Sequence, residues 1–191
     1  GIPYLVMELL QGRTLQEELK ALQRTLPTQS WDIEAAGGRV APFPVNLNPR
    51  RPSPFPAPLR ITFAQAGKQV RQDQIDPKLD LVIAWTPFTT GQADSGGILG
   101  DVSFVIMSDC AGASVARSEL PFKPTPALSY ADREFRVPAE RLAAASVYKL
   151  HVENAELVDV KNRDGVVGLA TFPTVTNTVL STTGARPECP P

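Results

Sequence analysis

Leu79-Asp80-Leu81-Val82-Ile83-Ala84-Trp85-Thr86-Pro87 places Leu79, Leu81, Ile83 and Trp85 at every second position and stops at a proline. A second stretch, Leu142-Ala143-Ala144-Ala145-Ser146-Val147-Tyr148-Lys149-Leu150-His151-Val152, sets Tyr148, Leu150 and Val152 in the same rhythm. A period of two is the mark of a strand, because successive side chains point to opposite faces of a sheet. Each stretch carries one large aromatic on its apolar side, where a core between two sheets would take it.

Working outward, further strands separate at turn signals. Leu59–Phe63 is the first, ended by Gly67, and Leu79–Trp85 the second, stopped by Pro87 and a loop from Gly91 to Gly100. Val102–Met107 turns at Asp109–Gly112, and Val115–Leu120 reads as an edge strand. Glu134–Val137 ends at Pro138, and Val147–Val160 is long enough for a bent strand. Asp164-Gly165 is a hairpin signal, after which Val166–Phe172 and Val175–Leu180 form a closing strand interrupted at Pro173. Six or seven strands in this order predict a Greek-key sandwich.

Three features resemble the fibronectin type III group of immunoglobulin-like β-sandwiches. They are Leu-x-Ile-x-Trp-x-Pro at Leu81 to Pro87, Leu-x5-Tyr at Leu142 to Tyr148, and a last strand ending Leu180-Ser181-Thr182-Thr183. The resemblance covers about residues 59–183 and implies an all-β antiparallel sandwich with Trp85, Tyr148 and Leu142 in its core. It also implies that the Tyr148 hydroxyl bonds nearby backbone at a corner of the fold. The family often has Pro-Gly ahead of the tyrosine. Here Ala143-Ala144-Ala145-Ser146 stands there, suggesting a short helical turn.

The 191 residues then divide into a segment 1–26, a connector 27–58, the sandwich 59–183 and a tail 184–191. In the first segment, Tyr4–Met7 is strand-like and Thr14 with Glu17 forms a helix capping box. Leu15, Leu19, Leu22 and Leu26 follow as one apolar stripe, which needs either the sandwich or another chain to cover it. It is the candidate surface for self-association. Pro3 to Leu15 is similar to the hinge of a serine/threonine protein kinase. The chain lacks the His-Arg-Asp and Asp-Phe-Gly groups that phosphoryl transfer requires. In the connector, Ser30–Ala35 alternates and is ended by Gly37-Gly38. Seven prolines between Ala41 and Pro58 exclude a central strand or helix and predict a polyproline II or irregular path. Pro49-Arg50-Arg51-Pro52 reads as part of that stiff linker, the alternative being a proline-rich ligand for SH3-like domains with basic groups beside its P-x-x-P.

Charge sets limits on partners. The net charge is −1; residues 1–58 hold six basic and five acidic groups and residues 59–191 thirteen and fifteen. Neither part is drawn to nucleic acid or an anionic membrane surface, and no apolar run reaches the ~20 residues of a membrane span. The chain opens on Gly1 without an initiator Met or a basic-apolar leader, which reads as a processed, cut or partial chain.

Reactive chemistry is scarce. His151 alternates out of the apolar set beside Lys149 and Glu153 and reads as a solvated strand residue. No nucleophile sits in a recognisable elbow, and Asp94, Asp101, Asp109, Asp159 and Asp164 show no calcium-loop spacing, so they read as turn residues. No catalytic, cofactor or metal residue is expected. Phe88, Phe122 and Tyr130 are the candidates for stacking on sugar. Cys110 and Cys189 either pair, clipping the tail to the loop at Ser108–Gly112, or stay as two thiols. Pairing would suit an oxidising compartment.

The expected function is therefore a non-catalytic structural or protein-interaction module of a secreted or cell-surface protein. Alternatives are a carbohydrate- or ligand-binding accessory domain using its loops, and an intracellular regulatory appendage associated with a kinase. Recognition is expected in Thr89–Gly100, Ser108–Ala113 and Lys123–Ala131, since loops on a rigid scaffold usually carry it.

Overall fold

The computed structural model describes residues 32–37, 40–46, 55–93, 100–119, 127–163, 166–185 and 188–189. The apolar stripe at Leu15 to Leu26, the hinge-like stretch, Pro49–Pro52, Phe122 and Asp94 lie outside them. Ten strands are present among the described residues: β1 Asp32–Gly37, β2 Val40–Asn46, β3 Ile61–Gln65, β4 Lys68–Val70, β5 Leu81–Trp85, β6 Val102–Asp109, β7 Ser114–Arg117, β8 Glu134–Val137, β9 Val147–Arg163 and β10 Val166–Ser181. They form a β1-β2 hairpin and two four-stranded sheets, ordered β4-β3-β5-β8 and β10-β9-β6-β7. All these neighbours pair antiparallel. Consecutive strands β5 and β6 therefore lie in different sheets.

The alternation places the core between the sheets. Phe63, Leu81, Ile83, Trp85 and Val137 come from the first, and Val105, Met107, Tyr148, Leu150, Val152 and Leu180 from the second. Leu59, Ile75 and Leu142 fill the flanks. Each of these side chains leaves water, a gain of about 1.5–3 kcal/mol for a large aliphatic or aromatic group. Trp85 is 5% exposed and Tyr148 3%.

Local chemistry explains where the strands stop. Ala66 and Gly67 both have positive φ, 48° and 75°. That is the backbone of a two-residue hairpin turn, easily reached by glycine, and it folds β4 onto β3. The second strand begins two residues later than its alternation predicts, and Leu79 is 40% exposed. Buried Gln65 is the cause. Its Nε2 donates to the Asp76 and Leu79 carbonyls at 2.8 and 3.0 Å, and its Oε1 accepts from the Asp76 N–H at 2.8 Å. Leu79 N–H also donates to the Asp76 carbonyl. The backbone of 76–79 is thus committed to a turn.

Proline proves less disruptive than expected in two places. β2 contains Pro42 and Pro44 yet pairs with β1, Pro44 facing Glu34. In a two-stranded hairpin every strand is an edge, so a missing N–H can face outward without breaking the ladder. The connector is therefore part strand, where an irregular path was expected. Similarly β10 runs unbroken through Pro173, opposite Ala155, because β10 is the edge of its sheet. A helical turn does precede the tyrosine strand, but at Ala139–Arg141, before Leu142 and outside the Ala143–Ser146 stretch where it was expected.

Beyond Val102↔Ala155, where β6 ends its pairing, β9 and β10 continue as a two-stranded ribbon with a bulge at Ala170/Thr171. Its side chains Leu157, Ala170 and Phe172 are buried. Phe55 meets Phe172 edge to face, centroids 5.4 Å apart. Thr174 Oγ1 donates to the Pro56 carbonyl at 2.7 Å, tying the chain ahead of β3 along β10. β2 packs against the same two strands.

Candidate functional site

Two ends of the sandwich carry the loops. At one, the corner Ala143–Ser146 is held by two side chains. Ala143 N–H donates to the Tyr148 hydroxyl at 2.7 Å. Fully buried Thr182 accepts from Ser146 N–H at 2.8 Å and donates to the Ala143 carbonyl at 2.8 Å through the same Oγ1. A corner leaves backbone groups without ladder partners, and these bonds supply them. Thr182 was legible in the sequence only as the end of a strand. Tyr148→Phe should cost about 1–2 kcal/mol, the net loss of one partly buried hydrogen bond. A urea titration checks this, and an unchanged midpoint would mean that water replaces the hydroxyl.

The β6–β7 turn lies beside that corner. Asp109 closes it through its main chain and through Oδ1, which accepts from Ala113 N–H at 2.8 Å. Gly112 sits at φ 89°. Cys110, in this turn, is disulfide-bonded to Cys189, Cα atoms 5.4 Å apart. The bond brings the tail to the turn. Between turn and corner runs an open groove of about 500 Å³, lined by Asp109, Cys110, Arg141, Ala143, Ser146 and Tyr148 among others. Arg141 is exposed, with no ion-pair partner among the described residues. Its lining sets the Asp109 and Arg141 side chains among small and apolar ones.

The opposite end holds the described parts of the β5–β6 and β7–β8 loops, so the three loops expected to carry recognition do not form one cluster. Asp101, 1% exposed, organises this end. Its Oδ1 accepts from Leu157 N–H and its Oδ2 from Gln92 N–H, both at 2.9 Å. Its carbonyl accepts from Tyr130 N–H at 3.0 Å. A carboxylate read as turn chemistry is in fact a buried pin between two loops and the ribbon. Gly91 packs on Tyr130 so closely that a Cβ there would collide with the ring. Phe88 is buried at 5%. Phe88 is thus buried away from any sugar, which corrects that expectation for it, while Tyr130 is half-buried with Gly91 against it.

His151 is not freely solvated either. Its side chain is 33% exposed, with Nδ1 3.1 Å from Asn177 Oδ1 and Nε2 3.2 Å from Glu153 Oε2. Both ring nitrogens face acceptors, an arrangement that the imidazolium satisfies with two N–H donors. The bond to Glu153 raises the His151 pKa above its ordinary value, and burial opposes the rise. A raised folded-state pKa stabilises the protonated fold. The contribution is full below the unfolded value of 6.5 and fades as pH climbs through the folded value. His151→Gln should remove this pH dependence from the stability profile. A mutant profile that keeps the same slope would assign it to another group.

No group of three or more His, Cys, Asp or Glu among the described residues could hold a metal ion. No helix among them is long and apolar enough to cross a membrane. Comparison of the chain with protein-family models, with curated proteins and with solved structures gives no match.

Proposed function

We propose that the chain carries a non-catalytic β-sandwich module of the fibronectin type III kind, acting as a spacer or protein-interaction domain of a secreted or cell-surface protein. The family reading is supported by the strand order β4-β3-β5-β8 against β10-β9-β6-β7 and by the Tyr148 hydroxyl on Ala143 N–H. The single observation that carries the compartment is the Cys110–Cys189 disulfide. Disulfides persist where the surroundings are oxidising and are rare in the cytosol of mesophiles.

Thiol titration of the protein isolated from its native source, alkylated at lysis, tests this. A secreted or surface module should show no free thiol before reduction and two afterwards. Two titratable thiols in the native protein would remove the basis for the extracellular reading and favour the intracellular, kinase-associated one.

A further inference from the structure

The outer face of the second sheet displays side chains that a spacer has no need to leave uncovered. Cross-strand pairing puts Phe104, Glu153 and Val175 in one row, Ile106, His151 and Asn177 in the next, and Ser108, Lys149 and Val179 in a third. Phe104, Ile106 and Val179 are only half-buried, and Val175 is 40% exposed. On β10 exposed Pro173 and Leu169, 38% exposed, follow on the same face, while their neighbours Val102, Ala155 and Leu157 on β6 and β9 are buried. Leu169, Pro173 and Val175 on β10 are thus apolar and exposed, the reverse of the usual polar-out alternation.

The charges on this face decide what fits it. On β9, Glu153 lies one row to one side of His151 and Lys149 one row to the other, so the face is self-complementary about the His151 row. Consider a two-fold axis in the plane of contact, perpendicular to the strands at that row. It sets β9 antiparallel over β9 of a second copy, with Glu153 opposite Lys149 twice. It also sets Val175 against Val179 and Ile106 against Ile106. A two-fold axis along the strands would instead oppose Glu153 to Glu153. His151 stays beside its own Glu153 at 3.2 Å, so the centre carries paired charges. Arg117, across from Ile106 on edge strand β7, meets its own counterpart, a like-charge contact confined to the exposed rim, where salt screens it.

We propose that this face is a homotypic contact, each copy's β10-β9-β6 strip lying antiparallel on another's. Three rows of three strands cover roughly 15 Å by 15 Å from strand spacing and rise, and the β10 stripe lengthens one side. That area falls well short of the about 800 Å² a side of stable specific interfaces. The contact is therefore weak in solution and gains from molecules held side by side. The proposal does not depend on the compartment assigned above.

A dilution series of the nitrogen-labelled full chain, followed amide by amide by NMR, tests it. Concentration-dependent shifts should concentrate in the rows around His151 and Asn177. Val175→Lys should abolish them. Lys149→Glu and Glu153→Lys should each abolish them singly, and the double exchange should restore them, because it rebuilds both opposite-charge pairs. Unchanged melting temperatures would show that the single variants remain folded. Shifts that are absent from this face at every concentration, that survive Val175→Lys, or that fail to return in the double exchange would overturn the proposal.

Discussion

Trp85→Ala is expected to lose about 3–5 kcal/mol of unfolding free energy, the range for emptying a large buried aromatic site. Trp85 ends β5 against Ile61 of β3 and packs into the core shared by both sheets. Its indole N–H meets no acceptor among the described residues, so the side chain contributes by packing alone. Trp85→Phe should therefore cost much less, under about 2 kcal/mol, since it keeps most of the ring and removes an unpaired donor. Urea melts of the two variants test the pair. A loss under about 1 kcal/mol for the alanine variant would place the core elsewhere.

Cys110→Ser with Cys189→Ser should lower stability by about 2–4 kcal/mol. The bond joins positions 79 residues apart. Closing so long a loop removes much of the unfolded chain's freedom, which puts the expected cost near the top of that range. The folded state should change little. Thr182 N–H still donates to the Ser146 carbonyl and Thr183 N–H to the Ile75 carbonyl. Only the tail beyond Ala185 should loosen. Denaturant melts of wild type with and without reductant should reproduce the loss. Equal midpoints would mean that the unfolded chain is not restrained by the crosslink.

Elements whose cause is local were readable from the residues. Glu134–Val137 before Pro138 is β8 as expected, and the Gly67 turn and the start of β9 at Val147 fall where the alternation put them. Errors came where a distant group captured the backbone. Leu79 left its strand because Gln65, fourteen residues away, takes its carbonyl. Pro42 and Pro44 sit in a strand because β1 is the one partner β2 has among the described residues, a fact about the sheet and not about the residues. The same holds for the candidate sites. Asp101 and Leu157 are 56 positions apart, as Thr182 and Ser146 are 36, and no periodicity reveals such pairs. Two cysteines allow only one pairing, but whether they meet depends on the tail reaching the β6–β7 turn.

The division of strands between two sheets fixes the core, the corner and the outer face together. Cross-strand backbone NOEs of the folded chain test it most directly. Contacts are expected from Ile83 to Phe63 on one side and to Phe135 on the other, and from Val105 to Val152. Ladder contacts joining β5 to β6, as in a simple hairpin between consecutive strands, would contradict it.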